Sequence, residues 1–249
     1  MQIVVGSLLT SYFRVGAGKQ LLVLHGWGDN SRNWGTFAQE LTRSYEVVVP
    51  DLPGFGGSEA PHKVWSLDDY AAFVSAFIDK VGLKPYAIIG HSNGGAIAIR
   101  GIANHGLEPD KLVLLASAGI RGENKGRNAV WQAVAKTGKV LAAPLPAGAK
   151  RKLRGNLYKA AGSDMLVAEH LQETFKRVVG EDVRADAAHI QVPALLMYGA
   201  DDTTTPPRYG EVLSKVIRDS RLEILPGAGH FIQADAQSKV ASLIEGFVQ

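Results

Sequence analysis

A chain of 249 residues with 46% apolar and 20% charged side chains can bury a substantial core and is too apolar for intrinsic disorder. Its net charge of +3 makes no case for a nucleic-acid partner, and none is expected. The absence of cysteine excludes disulfides, a thiol nucleophile and thiolate metal ligands. Residues 1–6 carry neither a charged n-region nor a long apolar h-region, so a secretory leader is not expected. No run approaches the roughly 20 apolar residues of a membrane span. A cytoplasmic location is the expectation.

In chain order, residues 3–5 and 10–15 read as the two strands of a hairpin at a sheet edge. Residues 20–24, 46–49, 86–89, Lys111–Leu115, 194–198 and 221–225 read as central strands. Helical patterns fall between them at 33–41, Leu67–Val81, 94–104, 207–216 and 236–247. In the second of these, Leu67, Tyr70, Ala71, Val74, Phe77, Ile78 and Val81 form one stripe at the 3.6-residue period. Such alternation predicts an α/β fold: a mostly parallel central sheet flanked by helices.

The alternation breaks between residues 119 and 192. This stretch holds helical patterns only, one at 128–141 stopped by Pro144 and Pro146. Another starts at Ser163 as N-cap and carries Leu166, Val167, His170, Leu171, Thr174, Phe175 and Val178 on one side. It predicts an inserted helical lid on a core built from residues 1–118 and 193–249. Residues 121–184 hold 13 Lys and Arg against 6 Asp and Glu, a net of +7, leaving −4 for the rest of the chain. The cluster Lys150-Arg151-Lys152-Arg154 reads as a solvated helix face; the sharper reading is attraction of anionic substrates or an anionic surface.

The chemistry-bearing pattern is Gly90-His91-Ser92-Asn93-Gly94, directly behind an apolar strand run and ahead of a helical one. A serine at so sharp a strand-to-helix turn has its hydroxyl pushed out of the fold, and a Cβ at either flanking glycine would collide across the turn. Acyl transfer by such a serine needs a base, an acid that orients the base, and donors for the developing oxyanion. His230, in the glycine-rich run after strand 221–225, is the candidate base. Asp202, beside Asp201 after strand 194–198, is the candidate acid. The candidate oxyanion donors are the backbone N–H groups of Asn93, at a helix start, and of Trp27, in His25-Gly26-Trp27-Gly28.

Together these segments resemble the α/β-hydrolase superfamily over nearly the full chain. The matching residues are His25-Gly26-Trp27-Gly28, Asp51-Leu52-Pro53-Gly54-Phe55-Gly56-Gly57-Ser58, Gly90-His91-Ser92-Asn93-Gly94-Gly95, Gly199-Ala200-Asp201-Asp202 with Pro206, and Gly229-His230-Phe231. The family's acid stands three residues after the strand-end glycine, which selects Asp202 over Asp201. The resemblance implies a catalytic triad of Ser92, Asp202 and His230 on a nucleophile elbow, with Trp27 and Asn93 as the oxyanion hole. It also makes residues 51–58 a structural loop bordering the site. The match fades across the insert.

These features predict a serine hydrolase of the carboxylesterase kind acting on a small acyl compound, without a cofactor. A serine at the elbow argues against the carboxylate-nucleophile chemistry of haloalkane dehalogenases and epoxide hydrolases. A carbon–carbon bond hydrolase of the meta-cleavage type and a cofactor-free haloperoxidase or perhydrolase use the same triad. A non-catalytic ligand-binding protein is the alternative from another class. Candidate pocket residues are His25, His91, Trp131, Phe175 and Phe231. Four of these have a plainer reading: His25 beneath the oxyanion loop, His91 on the wrong side of the elbow for proton transfer, and Trp131 and Phe175 in lid-to-core packing. No H-x-x-x-H or H-E-x-x-H pattern occurs, so no metal is expected.

Overall fold

The computed structural model describes residues 1–122 and 169–249. Eight strands build one sheet: β1 (Gln2–Val5), β2 (Leu8–Gly16), β3 (Lys19–Leu24), β4 (Tyr45–Pro50), β5 (Pro85–His91), β6 (Lys111–Leu115), β7 (Ala194–Gly199) and β8 (Ser220–Leu225). Their spatial order is β1-β2-β4-β3-β5-β6-β7-β8. β1 and β2 form the expected edge hairpin, β2 also runs antiparallel to β4, and every other pairing is parallel.

The central strands read as unbroken apolar runs because both faces of the sheet are covered. Successive side chains point to opposite faces, so the strands feed two cores. Leu22, Leu24, Val48, Ile88, Leu112, Leu114, Leu196 and Tyr198 pack on one side against α2 (Leu67–Val81), α3 (Asn93–Asn104) and α6 (Arg208–Val216). Leu21, Val23, Val47, Val49, Ile89, Val113, Leu115 and Met197 pack on the other against α1 (Gly35–Leu41) and α8 (Gln237–Val248). The α2 stripe faces the first core. This helix starts at a capping box, in which Ser66 and Asp69 satisfy each other's backbone N–H, and ends at Gly82 in the left-handed region.

Three expectations need correction. The run 221–225 is not a central strand; β8 closes the sheet edge and leaves Ile224 37% exposed. The expected helix 33–41 divides into a 3-10 turn, Ser31–Trp34, and α1. In place of one continuous helix from Ser163, a 3-10 turn at Glu169–Leu171 precedes α4 (Gln172–Val178); α5 (Arg184–Ala187) and, after β8, α7 (Ile232–Asp235) are short helices that no periodicity announced. The segment 128–141, Ser163 with Leu166 and Val167, and the cluster at residues 150–154 lie outside the described residues.

Residues 119–121 and 182–183 are tied together. Val183 N–H donates to the Gly119 carbonyl at 2.8 Å, and Arg121 N–H donates to Asp182 at 2.9 Å. Arg100 on α3 pairs with Asp68, Glu181 and Asp186, fastening the returning chain to the core. No described helix is long and apolar enough to cross a membrane.

Candidate functional site

All parallel strands end at the same sheet edge, so the loops after β3, β5, β6, β7 and β8 converge there, as ligand sites of open α/β sheets do. Ser92 caps α3 directly after β5 with φ 51° and ψ −117°. A non-glycine residue held there costs about 1–3 kcal/mol and persists only where its surroundings over-determine it. Here they do. Ser92 N–H donates to the Leu115 carbonyl at 2.9 Å, and the Ser92 carbonyl accepts from Ala118 N at 3.0 Å. A Cβ on Gly94 would strike the Leu24 carbonyl oxygen, and one on Gly90 would lie 2.6 Å from the Gly95 Cα. Glycine at both positions lets the elbow close against the sheet.

Three of the predicted side chains meet. The Ser92 hydroxyl, in a residue 8% exposed, lies 3.1 Å from His230 Nε2. His230 Nδ1 lies 2.8 Å from Asp202 Oδ2, whose side chain is wholly buried. A carboxylate only accepts, so Nδ1 carries the proton and Nε2 presents a lone pair to the serine. Asp202 Oδ1 accepts from Thr204 N at 2.7 Å and Thr205 N at 3.0 Å. Burial alone pushes the Asp202 carboxyl up, but the hydrogen bond and charge of His230, together with the Thr205 backbone N–H, outweigh it and hold it below the ordinary carboxylate range. Asp201 is exposed and engages the Ala228 carbonyl through its backbone N–H.

The two candidate backbone donors lie at a helix start and in a turn. Asn93 is the first residue of α3, where an N–H has no acceptor within the helix. Trp27 sits in a turn closed by Asp29 N to Gly26 O at 3.3 Å, with Gly28 at φ 74°. This turn abuts the elbow: a Cβ on Gly26 would lie 2.9 Å from His91 Nδ1 and 3.2 Å from Ser92 Cβ.

The candidate pocket residues divide. His25 is fully buried, with Nδ1 donating to the Gly26 carbonyl at 2.8 Å and Nε2 accepting from Leu52 N at 2.9 Å. Both nitrogens are occupied by backbone, so His25 braces the loops beneath Trp27 and forms no pocket wall. His91 is also buried, and its Nε2 donates to the His230 carbonyl at 2.9 Å. Phe175 reaches the site's border, its ring 5.1 Å from that of Trp27. Phe231 is 52% exposed, with its ring 5.3 Å from His230. Trp131 lies outside the described residues. In the loop 51–58, Asp51 accepts from Ser31 N at 2.6 Å and Gly57 N at 2.8 Å, while Phe55 packs on Trp27 at 4.9 Å. That loop is an internally bonded border of the site.

His91 makes the stability of the fold depend on pH. Burial and the neighbouring His230 push its imidazole down to about 4 from an ordinary 6.5. Between those values the unfolded chain takes up a proton that the folded chain refuses, so stability falls on acidification from pH 6.5 and levels off below pH 4. A gap of roughly 2.5 units corresponds to about 3 kcal/mol. His25, also lowered by burial, acts in the same direction. Urea denaturation at pH 7 and pH 4 should show His91→Gln losing about 3 kcal/mol less than the parent; equal losses would contradict a buried, neutral His91.

The side chain that sequence reasoning missed is Thr205. Its hydroxyl lies within 3.1 Å of His230 Nδ1 and 2.8 Å of Asp202 Oδ2. The one available signal was a hydroxyl residue three positions after an acid, in a turn whose N–H groups reach back to that acid.

The family model for the alpha/beta hydrolase family matches residues 21–243. The 2-hydroxy-6-oxo-2,4-heptadienoate hydrolase of Pseudomonas putida is 25% identical over 261 residues, covering 99% of this chain and 95% of its own length. The pimeloyl-(acyl-carrier protein) methyl ester esterase of Neisseria meningitidis is 29% identical over 251 residues, covering 94% of each chain. Among solved structures, a membrane phospholipase A described as a bacterial virulence factor superposes with a TM-score of 0.80. That match covers 100% of this chain and 84% of the other at 24% identity, a likeness of fold.

Proposed function

The chain belongs to the alpha/beta hydrolase family, and on that premise we propose that it is a serine hydrolase cleaving a carboxylic ester or a related small acyl compound. The observation that carries this reading is the hydrogen-bonded relay from Ser92 through His230 to buried Asp202, with links of 3.1 and 2.8 Å. His230 Nε2 takes the hydroxyl proton as Ser92 Oγ bonds to the carbonyl carbon and the carbonyl π pair moves to oxygen. The N–H groups of Asn93 and Trp27 receive that oxyanion. Its collapse breaks the bond to the alcohol, which leaves with the proton from His230. Water then repeats the sequence on the acyl-enzyme, returning Ser92 and releasing the acid. Asp202 stays ionised throughout, orienting the imidazole and balancing the imidazolium.

Residues 119–192 serve in this reading as a lid over a core of residues 1–118 and 193–249. The bonds between Gly119–Arg121 and Asp182–Val183 support it, since they bring both ends of the insert to one place beside the site. Phe175 against Trp27 supports a lid that touches the oxyanion turn.

The alternative on the same residues is hydrolysis of a hydroxy-oxo-dienoate, the substrate class named by the Pseudomonas putida relative. p-Nitrophenyl esters of graded chain length, assayed beside such a dienoate, separate the two. Ester turnover with a chain-length optimum is the expected result. Consumption of the dienoate in clear preference to every ester would overturn ester cleavage in favour of the alternative.

A further inference from the structure

Thr205 stands where the loops after β6, β7 and β8 meet. Its side chain is buried, and its hydroxyl lies 2.8 Å from the Ala116 carbonyl, 2.8 Å from Asp202 Oδ2 and 3.1 Å from His230 Nδ1. One hydroxyl has a single proton to give and lone pairs to offer. Toward His230 it can only accept, because Nδ1 bears the proton shared with Asp202. Its own proton then goes either to Ala116 O or to Asp202 Oδ2.

The Ala116 carbonyl has the stronger need. Ala116 is fully buried, and among the described residues no other group donates to its carbonyl. A buried carbonyl left without a donor costs about 1–3 kcal/mol. Without that proton Asp202 still has Thr204 N, Thr205 N and His230 as donors. Ala116 is also held at φ 46°, a region costly for a residue with a Cβ. Two bonds fix it there: its N–H to the Met197 carbonyl at 2.8 Å and its carbonyl to Thr205. The adjoining Leu115 carbonyl receives Ser92 N, so this bent backbone joins the elbow to the Asp202 turn.

We propose that Thr205 is a positioning residue: anchored on the Ala116 carbonyl, its hydroxyl presents a lone pair to the Nδ1–H of His230 beside Asp202. The imidazole is thereby gripped by two acceptors on one edge, which aims Nε2 at Ser92. A neutral acceptor there is strengthened when the ring becomes imidazolium, so it favours the state in which the ring carries the serine proton. This rests on the reading of Ser92, His230 and Asp202 as nucleophile, base and orienting acid.

The test needs no natural substrate. Ser92 is phosphonylated by a fluorophosphonate, with the labelled residue identified by peptide mass and the second-order rate followed from pH 5 to 9. Thr205→Val keeps the volume and removes the hydroxyl; Thr205→Ser keeps the hydroxyl. Valine should slow labelling about tenfold, the equivalent of one lost hydrogen bond. It should also move the acidic limb of the rate profile to lower pH by about half a unit. Serine should restore both to near the parent. Should valine fail to fold by circular dichroism, Thr205→Ala carries the same comparison. A parental rate and an unmoved limb in the hydroxyl-free variant overturn the role of Thr205. So does a limb moved to higher pH, which would mean that the hydroxyl donates to Asp202. If the parent is not labelled on Ser92 at all, the nucleophile assignment itself falls, a result distinct from either.

Discussion

Ser92→Ala should lower ester turnover by about 10⁴- to 10⁶-fold, the scale on which serine hydrolases lose activity when the nucleophile is removed. The substitution deletes only Oγ. Ser92 and alanine share the Cβ, so the bonds that hold φ at 51°, from Leu115 O and Ala118 N, are untouched. Thermal unfolding should therefore stay within a few degrees of the parent. His230 and the N–H groups of Asn93 and Trp27 survive the change, and a residual rate above that of water is expected from them. Loss of activity without loss of fold is the informative combination. Activity within tenfold of the parent would mean that another group attacks the substrate.

Asp202→Asn should cost about 10⁴-fold in kcat with KM nearly unchanged, because the amide can offer its N–H₂ to His230 and so favour the tautomer with the proton on the wrong nitrogen. The buried carboxylate accepts from Thr204 N, Thr205 N and His230, and each of those bonds favours the ionised form. Asp201→Asn is the matched control. Asp201 is exposed, and its bond to Ala228 uses the backbone N–H alone, so kcat should remain within about twofold of the parent. Steady-state kinetics on one ester decide the matter: equal losses at the two positions would remove Asp202 from the relay.

The fold was legible wherever local pattern and global position agree. Runs such as Lys111–Leu115 read as strands because helices cover both faces, and the α2 stripe read as a helix because one face meets the core. The edge position of β8 was not legible. Arg221 and Glu223 alternate there with Leu222 and Ile224, unlike the runs of its neighbours, but strand order itself is set by packing between distant segments. The one-turn helices α5 and α7 are too short to express a period.

The Gly90–Gly94 spacing and the strand-end places of His230 and the Asp201-Asp202 pair marked the three side chains as candidates, and the family resemblance selected Asp202 over Asp201. His91 and Thr205 were harder to read. His91 looked irrelevant to proton transfer, yet it holds the His230 carbonyl from the neighbouring strand end. Thr205 depends on a carbonyl 89 residues away, on a backbone twist at Ala116 that nothing local to an alanine requires. Pocket walls were least legible. The same buried, fully bonded setting that makes His25 a brace makes it invisible to substrate, and neither fact is written in its neighbours.

The claim on which the rest stands is that Ser92 Oγ becomes acylated. Mixing the enzyme with a p-nitrophenyl ester, quenching in acid within the first turnover and mapping the peptides measures it directly. The acyl mass should appear on Ser92, in step with the first equivalent of p-nitrophenol, and should vanish in Ser92→Ala. Ester turnover with no acyl group on Ser92, or with the group on another residue, would contradict the account.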